Sequence, residues 1–281
     1  MTISVTQAVE DLVRAAVRLP DEAMDRAWAW GKYDEEGLRF ALLMTHHELR
    51  DLAVRLEAAR ARAGSEVGES ERIRTQYHEA YRDLTGLLHR VRDEELDRVP
   101  APGQWPVREA IRHIISALYG FSAVVELAMA AHSSGIEQPE PTDEEFAKAK
   151  VQPAPTDEIA SGHVRSVANA LFEAHRRTRS AMARVTDSDL ERPALFWDGP
   201  MPLRFRLHRF EAHMRQHTIQ VDKTLLAIGH PATEAERLVC LIHNALAGVE
   251  SMTIDGFADD VRATVADSIA ARVTALAKAT R

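Results

Sequence analysis

Apolar residues recur every three or four positions along most of the chain, the spacing that places them on one face of an α-helix. Val9, Leu12, Val13, Ala16 and Val17 form such a stripe within residues 5–19, and Leu19-Pro20-Asp21 ends it. A second helix is predicted over about 35–60, with Leu38, Leu42, Thr45, Leu49, Leu52 and Leu56 in a 4-3 register. The run Ala63-Gly64-Ser65-Glu66-Val67-Gly68 reads as a break. A third helix covers about 70–92 through Ile73, Tyr77, Ala80, Leu84, Leu87 and Val91, before Val99-Pro100-Ala101-Pro102-Gly103. Trp105-Pro106 opens a fourth, since proline suits the first helical turn. Its stripe is Val107, Ile111, Ile114, Leu118, Phe121, Val125 and Ala128.

Residues 133–157 change character to Ser, Gly, Pro and acids, a long surface connection with one helical turn near Glu144–Ala149. A fifth helix is predicted over 157–185. The Pro193–Pro202 loop carries Phe196-Trp197-Asp198-Gly199, and a sixth helix over 203–228 stops at Gly229, a good C-terminal cap. Two more follow, at 233–253 and 258–278. Strand-like alternation is missing throughout, so the fold class is all-α.

Composition narrows the possibilities. Hydrophobic residues at 45% and charged residues at 28% are ordinary for a globular chain. A net charge of −8 speaks against a nucleic-acid surface, which needs a basic face. The single cysteine, Cys240, lies in the apolar run Leu238–Ile242 and is expected to be a buried core residue. No segment is expected to reach the roughly 20 apolar residues of a membrane span, so no membrane partner is anticipated. The N-terminus has early acids and no apolar signal core, which makes the cytoplasm the expected location.

The chemistry points to histidine. Thirteen are present, and a His-x3-His pair would arise by chance about half the time in such a chain, so spacing alone is weak. Register says more. Along the sixth helix the 4-3 positions are Leu203, Leu207, Phe210, Met214, His217, Val221, Thr224 and Ile228. His217 thus holds a slot where packing alone would favour an apolar side chain. His213 lies one turn earlier on the edge of the same arc, with Arg206 and Gln220 beside it. Two imidazoles at i and i+4 stack along a helix and can share one ion. Zinc accepts that pair when another element adds a third ligand and the fourth position stays open. Nickel, iron and cobalt also take imidazole. On the residues alone the third ligand is His113, at the margin of the fourth helix's apolar arc, with His175 of the fifth helix as rival. His46, His47, His78, His89, His132, His163, His208 and His230 are expected at the surface or in local hydrogen bonds, and His243 is ambiguous.

No nucleophile elbow, P-loop, dinucleotide fingerprint or H-E-x-x-H motif occurs. The segments Gln104-Trp105-Pro106-Val107-Arg108-Glu109-Ala110-Ile111-Arg112-His113 and Phe210-Glu211-Ala212-His213-Met214-Arg215-Gln216-His217-Thr218-Ile219-Gln220 together resemble the DinB/YfiT-like superfamily of metalloenzymes. The resemblance covers roughly residues 70–231. It implies a DinB-like four-helix bundle over 67–231; the helical extensions at 1–66 and 232–281 lie outside that core and are expected to pack on the bundle and cover the site, to form a second half-bundle or to support a homodimer. It also implies one divalent metal, zinc first and nickel or iron next, on His113, His213 and His217. The family includes transferases and isomerases that use low-molecular-weight thiols, so the expected substrate is a small electrophile. Arg206 and Arg209 would hold an anionic group. Trp197, His175 and Gln220 complete the expected substrate-side residues, and no catalytic residue is assigned. The competing expectation is a non-catalytic stress-response or binding bundle whose metal is structural or vestigial.

Overall fold

Helices form close to where the apolar stripes predict them. A computed structural model describes residues 3–29, 36–136, 141–150, 162–196, 199–252 and 259–279. Among them are the α-helices α1 (Val5–Ala16), α2 (Gly37–Arg62), α3 (Glu69–Leu88), α4 (Val107–Ser133), α5 (Asp143–Ala149), α6 (Val164–Met182), α7 (Leu203–Ala227), α8 (Glu234–Ser251) and α9 (Asp259–Ala279). The fold is all-α. The only strands among the described residues are β1 (Pro193–Ala194) and β2 (Met201–Pro202), a two-residue antiparallel pair inside the expected loop. The turn expected near Glu144–Ala149 is α5, started by a capping box between Thr142 and Glu145. The fifth predicted helix begins later than expected, at Val164, because Asp93 accepts the Val164 amide at 2.8 Å and fixes the helix start there. Gly229, at φ 89°, closes α7 as predicted.

The chain divides into two compact units, each with its own core. One comprises residues 1–66, 82–90 and 231–281; the other comprises 67–81 and 91–230. The helix α3 therefore contributes its first part to one unit and its last part to the other.

In the first unit, α1 packs on α8 and α9, and α2 on the same two helices. Leu12, Leu42, Leu49, Ile242, Leu246 and Ile269 are fully buried between them. Cys240 is half-buried on α8, a correction to its expected place in the core: the apolar run turns Leu238 and Ile242 inward and leaves position 240 at the flank. Gly86 of α3 faces α8 closely. A Cβ there would come within 3.0 Å of the His243 Cβ and 3.2 Å of the Cys240 Cα.

In the second unit, α4 packs against α6 and α7, and Tyr77 of α3 and Phe121 of α4 both meet the Phe210 ring edge-on. The expectation that no segment is apolar enough to span a membrane fails at α4. An 18-residue window there has mean hydropathy 1.8. The reason is its place in the bundle: 56% of that window is buried, and a helix packed on several sides reads as apolar all round. The start of α3 is capped from far along the chain. Asp187 accepts the Ser70 amide at 2.8 Å and the Glu69 amide at 3.0 Å, satisfying two orphan donors.

These contacts predict two outcomes. Hydrogen bonds from Ser70, backbone first, hold the Asp187 carboxyl below its ordinary 3.8. A lowered folded pKa means stability that is present above the unfolded value and lost as pH falls through the folded one. Asp187→Ala should therefore lower the melting temperature at pH 7, and the gap from wild type should close below about pH 4 in thermal melts at graded pH. Gly86→Ala should destabilise the protein in chemical denaturation by up to about 2 kcal/mol. Overpacking against α8 costs about 1–3 kcal/mol, set against a gain of roughly 1 kcal/mol in helix propensity.

Candidate metal centre

Helices α4 and α7 bring three imidazoles to one point. His213 and His217, one turn apart on α7, both lie on its buried face, and His113 reaches them from α4. The Nε2 atoms of His113 and His213 are 3.1 Å apart, and those of His213 and His217 are 3.2 Å apart. A tetrahedral ion with metal–nitrogen bonds of about 2.0–2.1 Å needs ligand nitrogens roughly 3.3 Å apart, so the spacing fits.

The protonation pattern fits as well. The Gln220 Oε1 lies 2.7 Å from His217 Nδ1 and accepts its N–H, which leaves the His217 Nε2 lone pair directed at the other two rings. His213 Nε2 has two imidazole nitrogens at hydrogen-bond distance, and N–H···N bonds among the three cannot satisfy both close pairs once His217 Nε2 is bare. At least one of the two close pairs is left without a hydrogen bond. Burial, with the neighbouring His217, His113 and Arg209, pushes the His213 imidazolium down to about 3. Burial likewise lowers His217, against the Gln220 hydrogen bond, which raises it. His213 and His217 are neutral ligands at neutral pH. Among the described residues no fourth His, Cys, Asp or Glu joins this group.

Aromatic side chains wall the cluster. Trp105 lies nearly parallel to His217, at 6.3 Å between centroids and 16°, and 5.0 Å from His113. Phe121 meets His213 edge-on at 5.4 Å. An open groove of about 700 Å³ leads to His217 past Trp105, Gln220 and Lys223.

The other expected residues take different places. Arg206 is buried rather than free at an entrance: it donates to the Leu195 carbonyl oxygen at 2.6 Å and lies over the Phe121 and Phe196 rings. Burial, then the Arg209 charge, pulls its pKa down to about 10. It is one ring removed from the imidazoles, through Phe121. Arg209 is half-buried on the same helix. Trp197 lies outside the described residues. His175, the rival ligand, has both ring nitrogens engaged: Nε2 is 3.1 Å from His78 Nδ1 and Nδ1 is 3.0 Å from the Tyr77 hydroxyl. Its ring also stacks on Tyr81 at 3.6 Å. His78 and His230, expected at the surface or in local hydrogen bonds, are buried and bonded to partners distant in sequence, His175 and Glu95; His230 Nδ1 is held 3.0 Å from the buried Glu95 carboxylate. The sequence placed Trp105 only as a helix opener. Its second role, as a wall beside two imidazoles, depends on α7 lying alongside and has no local signal.

A family model described as the DinB superfamily matches residues 76–221, just over half of the chain. The chain belongs to the DinB superfamily. No curated protein and no solved structure gives a significant match. The matched stretch contains all of α4 and α7 as far as Val221, and with them His113, His213 and His217, together with Trp105 and Gln220.

His175 hydrogen-bonds two buried polar groups, so its loss removes one partner each from His78 and Tyr77. His175→Leu should destabilise the protein by about 1–3 kcal/mol in denaturant melts while leaving bound metal per chain unchanged.

Proposed function

We propose that His113, His213 and His217 hold one divalent metal, zinc first, and that this DinB-superfamily chain is an enzyme using a low-molecular-weight thiol to act on small electrophiles. The observation that carries the reading is a set of three converging imidazoles with no fourth His, Cys, Asp or Glu ligand among the described residues. A structural zinc site is closed by four protein ligands, whereas a catalytic one keeps a position open. What the ion supplies is Lewis acidity, which brings the pKa of a thiol or water at the open position into the neutral range.

The chain's own residues do the rest. Gln220 fixes the tautomer and tilt of His217, the outer partner that commonly governs ligand affinity. Trp105 and Phe121 flank the imidazoles on two sides. The groove past Trp105 admits a small molecule, and exposed Lys223 on its rim offers a charge for a carboxylate of the thiol or its acceptor. Arg206, clamped by Leu195 and two rings, keeps Phe121 against His213 and does not itself bind the anion.

The test is metal content and thiol consumption in one variant series. His217→Ala should lose one zinc ion per chain relative to wild type and lose thiol transfer to an electrophilic probe. Gln220→Leu should keep the fold and weaken zinc affinity by about 10–100-fold. Equal zinc content in wild type and His217→Ala sinks the metal reading. Unchanged thiol chemistry in a His217→Ala chain that has lost its ion sinks the enzymatic one.

A further inference from the structure

A second group of ligand-type side chains lies within the first unit. One ring nitrogen of His89, one of His243 and a carboxylate oxygen of Glu10 lie within 4.8 Å of one another. They come from α1, from the turn after α3, and from α8. The close approach of α3 to α8 at Gly86 brings the last two together.

His243 is the unusual member. Its side chain is 0% exposed. The Thr85 hydroxyl donates to the Arg82 carbonyl oxygen at 3.0 Å, which uses its only proton. Toward His243 Nδ1, 3.4 Å away, Thr85 Oγ1 is left to accept. The imidazole proton therefore sits on Nδ1, and Nε2 is a bare lone pair. That Nε2 is buried and has no hydrogen-bond partner among the described residues. A fully buried acceptor without a donor is a rare arrangement in a folded protein. A cation resolves it directly.

The neighbours supply the remaining requirements. His89 Nε2 lies 3.4 Å from Glu10 Oε2, close to the spacing of two ligands on one ion, and the His89 and His243 rings are 4.9 Å apart. Arg82 is the adjacent cation, and its Nη1 lies 3.3 Å from Glu10 Oε1. Its charge is matched by Glu250, which takes both its Nε and its Nη2. Glu10 Oε2 is the oxygen turned toward His89.

We propose that Glu10, His89 and His243 form a second divalent-metal site, two histidines and one carboxylate, which takes zinc or a similar first-row ion. It is independent of the trihistidine centre.

Full-length protein stripped with a chelator, dialysed against zinc alone and measured by elemental analysis tests it. The expected result is two ions in wild type, one in Glu10→Gln, one in His217→Ala, and none in the double variant. Glu10→Gln is nearly isosteric on a half-buried side chain, and circular dichroism checks its fold. Glu10→Gln binding as much zinc as wild type overturns this proposal. His217→Ala doing so overturns the trihistidine reading instead. A second readout needs no change to the new site: zinc should still raise the melting temperature of His217→Ala, and no rise there overturns the proposal.

Discussion

Burying imidazoles keeps them neutral, and neutral imidazoles that converge on one point leave lone pairs facing each other. That constraint organises the second unit. His213 is driven to neutrality by burial before any neighbour acts, and His217 and His113 add to the effect. A polar cluster of this kind is costly unless something satisfies it. It survives because the surrounding helices fix it rigidly: Phe210 wedges between Tyr77 and Phe121, and Phe121 bears on His213. The very apolar α4 forms one wall of the bundle, so the same packing that makes it resemble a membrane helix by composition gives His113 a fixed line of approach.

Much of this was legible in the chain. The slot of His217 in the α7 register depends only on residues within that helix, and local periodicity reports such facts well. The choice between His113 and His175 was not local. His113 sits at the edge of its helix's apolar arc and His175 squarely within its own, yet the marginal one reaches the cluster. The deeper position put His175 among hydroxyl and imidazole partners that use up both ring nitrogens, Tyr77 and His78. Depth in a stripe predicts burial; it does not predict which partners wait there. His78 and His230 show the converse, since nothing near them in sequence announces His175 or Glu95.

Helix ends divide the same way. The Thr142 box and Gly229 are caps made within a few residues, and both were readable. The starts of α3 and α6 are set by Asp187 and Asp93, more than a helix away, and their positions follow from tertiary contact. The N-terminal stripe and the last two helices were predicted one by one, but their joint core with residues 82–90 could not be, because a stripe names a face and not its partner.

The two histidine groups differ in what kinship says about them. The family match spans 76–221 and takes in the whole trihistidine set. Of the second group it takes in His89 alone; Glu10 and His243 fall outside it. Membership in the DinB superfamily therefore bears on the first centre and is silent on the second. The second rests on hydrogen-bond accounting: Thr85 spends its proton on Arg82, so the His243 tautomer is fixed and its Nε2 is bare. The first centre reaches the same state by another route, with Gln220 fixing the tautomer of His217. In both places an oxygen acceptor on one ring nitrogen readies the other for a ligand, and that shared logic, rather than shared ancestry, links them.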